Sequence, residues 1–385
     1  MKRLAIVSSH PIQYNAPLFK LLTQRKIIEI KVFYTWETQK GGKYDPGFQK
    51  HVEWDIPLLE GYDNSFVKNT SADPGTHHFN GIINPTLQTE IEEWHPNAIL
   101  VMGWSFKSHL KSLRYFHNKI PVLFRGDSTL LDEKGGIKKI LRRLFLNWVY
   151  RHIDHSLYVG TQNKLYYLKH GLKESQLTFA PHAIDNDRFN KDLDKYIIEA
   201  LKWRIELSIG GEELVFLFAG KLEPKKDPEL LIKAFIGIYE PGIHLVIVGN
   251  GVLENKLKKS YADYPGIHFI DFQNQSKMPV VYHLCDVFIL PSKGPGETWG
   301  LSINEAMACR KAIIVSNKAG AALDLVGNDT NGYIFGSGNP IDLADKMKMF
   351  IRDHKKSKQF GTASFDKIRA WNYTSVAEAI EKIVS

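Results

Sequence analysis

The chain has 385 residues, 43% hydrophobic and 24% charged, with a net charge of +8. That length exceeds a typical single domain and predicts two. No run of about 18 apolar residues occurs, so no transmembrane helix is expected, and two cysteines, Cys285 and Cys309, make neither a disulfide framework nor a zinc site. A basic balance suits an anionic ligand or a membrane surface.

The start, MKRLAIVSSH, has an apolar run too short for a signal peptide and reads as a first strand. The expected compartment is therefore the cytoplasm. Short β-branched runs then recur with helical segments between them. KRLAIVSS, EIKVFYTW, AILVMGW, PVLFRG, HSLYVG and LTFAP read as strands in the first half. LVFLFAG, HLVIVGNG, IHFIDF, DVFILPS, KAIIVS and GYIF follow in the second. Continuous apolar strands alternating with helices predict parallel sheets covered on both faces. Two such series predict an α/β architecture of two doubly wound, Rossmann-like domains facing a central cleft, with ligands beyond the carboxyl ends of the strands. The expected boundaries are a first domain over 1–190, a linker helix over 191–211, a second domain over 212–368 and a closing helix over 369–385.

KGPGETWGLSINEAMA, from Lys293 to Ala308, carries the strongest chemical signal. DVFILPS delivers the chain to the ligand edge, and Gly294, Pro295 and Gly296 let it turn there. GLSINEAMA reads as a helix with Ile303, Ala306 and Met307 on its buried face. Its first amides, near Gly300, Leu301 and Ser302, lack intrahelical partners and favour an anion. Glu305 lies four residues after Leu301, about 6 Å along the axis on nearly the same face. Glu297 sits in the loop before the helix. This spacing suits ribose on Glu305, diphosphate on the helix tip and a sugar beside Glu297. A lone pair of glutamates eight apart is more often a surface turn and a solvated helix face; the flanking strand, turn and helix start change the balance. Upstream, FAGKLEPKKDPELL places Lys221 and Lys226 at a strand end, where two ammonium groups can neutralise a diphosphate leaving group without a metal. The plain alternative is a solvated lysine-rich turn.

In their order, GKLEPKKDP, HLVIVGNG, DVFILPS and ETWGLSINEAMA resemble the C-terminal half of glycosyltransferase family 4. The resemblance covers residues 155 to 340 well, and WNYTSVAEAIEKIV resembles the family's closing helix. It implies the GT-B fold and sugar transfer with retention of configuration. It assigns Glu297 to the donor sugar hydroxyls, Glu305 to the ribose, and the Gly300, Leu301 and Ser302 amides to phosphate. Lys221 stands where the family usually has arginine, which keeps the charge but loses the bidentate fork; Lys226 matches the usual lysine. The turn APHAID, with Asp185, resembles the family's interdomain Pro-Asn-Gly-Val-Asp turn. Departures are Arg310 and Ala312 after the helix, where the family has Gly and Pro, and a first βα loop, SSHPIQYNAP, without the frequent glycine pair. His10 and Gln13 in that loop are candidate acceptor or phosphate contacts, with a structural histidine the alternative. Arg125 follows Phe124 where the family often has a histidine near the reacting carbon, so a backbone carbonyl role is compatible and an imidazole role is not. Asp127 is a candidate acceptor contact or a solvated loop carboxylate. HVEWDIPLLEGYDNSF and KYDPGF can shape an acceptor site or simply pack.

GNG at 249–251 has Glu254 in place of the third glycine of a dinucleotide fingerprint, the Cys-His pairs lack metal-ligand spacing, and no P-loop occurs. Asp185-Asn186-Asp187, though it matches the DxD of metal-dependent glycosyltransferases, reads as part of a structural interdomain turn. KGGIKKILRRLFLNWVYR, residues 134–151, shows helical spacing of Ile137, Ile140, Leu141, Leu144, Phe145, Trp148 and Val149, with basic residues and no acid. It predicts a core-packed helix with a solvated basic face; the other reading is a face meeting anionic lipid or a lipid-linked acceptor.

The resulting expectation is a retaining, metal-independent hexosyltransferase. It would use a UDP- or GDP-sugar as co-substrate, with no cofactor and no nucleic-acid partner. The acceptor would be a glycan or lipid-linked species of bacterial-type surface polysaccharide or glycolipid synthesis, with the protein in the cytoplasm, either free or peripheral at the inner face of the membrane. The alternatives are a non-catalytic sugar-nucleotide-binding GT-B protein and a GT-B sugar-nucleotide epimerase.

Overall fold

The computed structural model describes residues 1–37, 43–45, 47–133 and 135–385, without the side chains of 43 and 44. Pro46 of KYDPGF and Lys134 of the basic stretch thus lie outside the described residues. In chain order the strands are β1 (Lys2–Ser8), β2 (Ile28–Tyr34), β3 (Lys43–Asp45), β4 (Lys50–Val52), β5 (Asp63–Phe66), β6 (Ala98–Met102), β7 (Val122–Arg125), β8 (His155–Tyr158), β9 (Leu177–Phe179), β10 (Leu214–Ala219), β11 (Ile243–Val248), β12 (Ile267–Ile270), β13 (Val287–Leu290), β14 (Ala312–Ser316) and β15 (Gly332–Phe335). The chain divides into two compact units. One comprises Met1–Gly41, Ile56–Ala183 and Tyr373–Ser385; the other comprises Gly42–Asp55 and Ile184–Asn372.

The first unit holds a sheet ordered β5-β2-β1-β6-β7-β8-β9, every pairing parallel. Leu4 to Val7 and Val122 to Phe124 are buried along their whole length, the mark of strands covered on both faces. The helix Tyr373–Val384 completes one face, burying Val376, Ala377, Ile380 and Val384 in the same cluster as Leu4, Phe19 and Leu100. Glu381 fixes it: Arg25 donates to its two oxygens at 2.8 and 2.9 Å. The second unit holds a six-stranded parallel sheet, β12-β11-β10-β13-β14-β15. All six residues of β10, LVFLFA, are buried.

The helix Leu193–Glu206, expected as a linker, packs within the second unit. Its buried Arg204 donates to the carbonyls of Gly211 and Glu213 and to Asp286 at 3.0–3.2 Å. A larger difference is the hairpin β3–β4, early in the chain yet part of the second unit. Phe48 and Trp54 pack on Phe272 at 4.7 and 6.3 Å between ring centres, and Asn274 donates to the Glu53 carbonyl at 2.6 Å.

Candidate active site

Strand order reverses direction between β10 and β13, so the loops leaving their carboxyl ends diverge and open a crevice at that edge. The sequence-predicted residues of the second unit converge there. Glycine makes the approach of the loops possible. A Cβ on Gly249 (φ +136) would lie 2.0 Å from the Gly220 carbonyl oxygen, so the loops after β10 and β11 touch backbone to backbone. After β10 a short 3₁₀ turn, Pro224–Lys226, presents the lysines. The Lys293 amide donates to the Lys225 carbonyl at 2.9 Å, which ties this turn to the loop after β13.

Lys226 Nζ and Glu297 Oε2 meet at 2.5 Å, with 17% and 8% of their side chains exposed. Ser292 Oγ donates to the same carboxylate oxygen at 2.8 Å. A nearly buried carboxylate with an ammonium and a hydroxyl on it is held in one orientation. Behind it, Gly320 passes so close that a Cβ would sit 1.7 Å from the Thr298 carbonyl oxygen, and the Gly320 and Ala321 amides donate to the carbonyls of Glu297 and Trp299 at 3.0 Å. The Glu297 loop is therefore braced from both sides. Gly320 is absent from the sequence-based site; its signal was the small-residue run KAGAA after β14.

Gly300 caps the helix Leu301–Ala308 with φ +100, a left-handed conformation natural to glycine. Ile303, Ala306 and Met307 are fully buried, as the pattern predicts. Glu305 is only 3% exposed and accepts from Tyr282 Oη at 2.7 Å. Tyr282 belongs to the helix Met278–His283, a position that no spacing rule relates to Glu305.

Lys221 meets Asp45 of the β3–β4 hairpin, Nζ lying 2.8 and 2.9 Å from the two carboxylate oxygens and 5.0 Å from the Phe48 ring centre. Burial pushes the Asp45 carboxyl up, but hydrogen bonds and charge from Lys221 and the amides of Gly47 and Phe48 outweigh it and hold the pKa below the usual range. A depressed carboxylate pKa stabilises the fold above the unfolded value, and that stability is lost as pH falls through the folded one. Asp45→Asn should thus cost about 1 kcal/mol or less, since both groups are partly exposed. In denaturant titrations the deficit should be full above about pH 5 and fade as pH drops below about 4. A pH-independent deficit would point to packing alone.

In the first unit the predicted residues sit at strand ends. The Arg125 guanidinium is buried and donates to the carbonyls of Ala180 and Pro181 at 2.8 and 2.9 Å, clamping β7 to the end of β9. Its own carbonyl accepts from the Gly103 amide at 2.9 Å. Burial pushes the guanidinium down to about 10, against the charges of Tyr167 and Asp127. Side chain and carbonyl thus both have structural partners. Asp127 is half-buried beyond the same strand. His10 bonds Ser9 Oγ through Nδ1 at 3.0 Å and packs edge-on against Trp36; Gln13 is half-buried nearby in sequence. Sequence reasoning misses His182 of APHAID, whose imidazole burial and the Arg125 charge push down to about 4, and His109, which links Thr35 Oγ1 to the Gly103 carbonyl at 3.0 Å. Among the described residues Asp73, His77 and His78 form a group able to hold a metal, on an exposed loop of the first unit.

Two parallel α/β units of this topology, with a basic turn and a braced glutamate at the switch point of the second, have the GT-B fold. Residues 200–367 match the family model described as glycosyl transferases group 1, which bears out the family resemblance at that level. D-inositol 3-phosphate glycosyltransferase of Mycobacteroides abscessus is 26% identical over 186 residues, 46% of this chain and 40% of that protein. Lipopolysaccharide 1,2-N-acetylglucosaminetransferase of Salmonella typhimurium is 30% identical over 188 residues, 43% and 48% of the two chains. The matches thus span less than half the length of these relatives. The crystal structure of the Anabaena protein HepE in complex with UDP matches in fold, with a TM-score of 0.75 at 17% identity over 100% of this chain and 99% of that one.

Proposed function

We propose that this protein is a retaining glycosyltransferase that moves a hexose from a nucleoside-diphosphate sugar to a glycan or lipid-linked acceptor without a metal. The observation that carries the reading is the Lys226–Glu297 pair at the switch point, beside the N-terminus of the Gly300-capped helix. The pair is neutral as a unit, so an arriving diphosphate competes with Glu297 for Lys226. Once Lys226 turns to phosphate, the carboxylate is released toward the sugar hydroxyls, still aimed by Ser292. Lys226 and the helix-tip amides of Gly300, Leu301 and Ser302 then stabilise charge as the diphosphate departs. Lys221 joins them when it exchanges Asp45 for phosphate. Glu305, oriented by Tyr282, accepts from the ribose diol. On the first unit His10, Gln13 and Asp127 are the acceptor-side candidates, with Arg125 clamping the strand that leads to Asp127. The Anabaena protein of like fold, in complex with UDP, favours a UDP-sugar over a GDP-sugar. Synthesis of a surface polysaccharide or glycolipid is the setting that the name of the Salmonella typhimurium relative supports.

Calorimetric titration with UDP-, GDP-, ADP- and CMP-sugars, in EDTA and again in magnesium, tests this. One nucleotide should bind in EDTA, with binding lost in Lys226→Ala. Tyr282→Phe should weaken it by roughly tenfold, the worth of one hydrogen bond to a charged group. A panel without binding would overturn the donor site, and conversion of the donor sugar with no acceptor present would replace transfer by epimerisation.

A further inference from the structure

The apolar stripe expected in the core of the first unit is in fact on its surface. The helix Ile137–Tyr150 buries only Leu146, Val149 and Tyr150. Ile137, Ile140, Leu141, Leu144, Phe145 and Trp148 are exposed, from 37% for Trp148 to 76% for Ile137. At 100° per residue these six fall within roughly 140° of arc. Leu146, Val149 and Tyr150 lie on the opposite side, so the helix packs by the back of its last turn and turns its apolar face outward. Core packing therefore does not explain the stripe.

Charge identifies what it fits. Lys138 and Arg143 border the stripe on its two sides, Lys139 and Arg142 lie on the back of the helix, the helix has no acid, and Arg151 follows it. The Arg114 guanidinium lies over the Trp148 ring at 5.3 Å, and Lys107 and Lys111 are exposed on the same helix as Arg114. The facing acid is Glu133, paired at 2.8 and 2.9 Å with Lys139 and Lys169. A comparison within the chain sharpens the point. The helix Leu193–Glu206 also exposes Ile197, Ile198, Leu201 and Ile205, but it carries Asp194, Glu199 and Glu206 against Lys195, Lys202 and Arg204. Only the first helix joins exposed apolar residues to one sign of charge, and no described helix is long and apolar enough to cross a membrane.

We propose that the helix Ile137–Tyr150 lies in the interface of an anionic lipid bilayer, its apolar face among the acyl-chain ends and its lysines and arginines on the headgroup phosphates. The inference stands on this helix alone, and it deepens the proposed function by placing the first unit where a lipid-linked acceptor resides.

Flotation of the full chain with phosphatidylcholine vesicles, with and without phosphatidylglycerol, tests it. Binding should require phosphatidylglycerol and weaken with salt. Leu141→Asp with Leu144→Asp, both on the exposed face and so compatible with folding, should lower it at least about tenfold. Lys138→Ala with Arg142→Ala and Arg143→Ala should lower binding to the phosphatidylglycerol vesicles toward the level on phosphatidylcholine alone. Nucleotide-sugar titration of the same variants should be unchanged, which separates failure of lipid docking from failure of the donor site. No vesicle binding, or binding indifferent to these changes, overturns the proposal. So does a dimer in sedimentation velocity that the Leu141/Leu144 variant dissolves, since a second copy would then cover the stripe.

Discussion

Glu297→Gln is expected to lower kcat/KM by roughly 10²–10³-fold, the scale of losing one preorganised polar group at a reacting centre. The same change should cost stability, because it leaves Lys226 charged and unpaired in a site where little of either side chain is exposed. Breaking a buried pair from one side costs about 3–5 kcal/mol; Lys226 keeps some solvent, so the low end, about 3 kcal/mol, is expected. The double variant Lys226→Met/Glu297→Gln removes both charges and should recover most of that stability while staying as inactive as either single change. Urea titration and turnover measured on all four proteins separate the two effects. An active single variant would remove Glu297 from the chemistry. A double variant less stable than both singles would mean that the pair is needed for the fold.

Gly320→Ala should have an effect of similar size from a residue without functional atoms. Its new methyl would collide with the Thr298 carbonyl oxygen and press on Trp299, both backbone, so the loop carrying Glu297 must move. Displacement of a positioned group by about 1 Å is enough for a roughly 10²-fold loss of rate. Overpacking of this kind costs about 1–3 kcal/mol. The loss should fall on turnover more than on nucleotide affinity, because Lys226 lies on another backbone segment, although the helix tip at Gly300 follows the displaced residues directly. Equal loss in both, or none, would show that the loop is less constrained than its contacts indicate.

The twelve strands expected from the sequence are all present, because each is a short apolar run between turns and a parallel sheet requires that pattern. β3, β4 and β5, with sequences KYD, KHV and DNSF, are missed: they are brief and polar and are set by their neighbours. The crevice of the second unit was legible for the same topological reason, since Lys226 and Glu297 end strands on either side of the reversal. Partners from distant elements were not. Nothing in the spacing of Glu305 announces Tyr282, and nothing in GKLEPKK announces Asp45, 176 residues earlier. Arg125 reads as a substitution at a chemical position, whereas its guanidinium fills a structural place that only the end of β9 reveals. Helical periodicity located the helix Ile137–Tyr150 but could not say on which side the rest of the unit lies.

The helix Tyr373–Val384 has a consequence for how the chain comes off the ribosome. The second unit has all its segments once residue 372 has emerged, whereas the sheet of the first unit, made earlier, still lacks the cover that Val376, Ala377 and Ile380 provide. The first domain begun is therefore the last to be finished. A nascent chain stalled before residue 373 would display an uncovered apolar sheet face, the kind of surface that recruits chaperones.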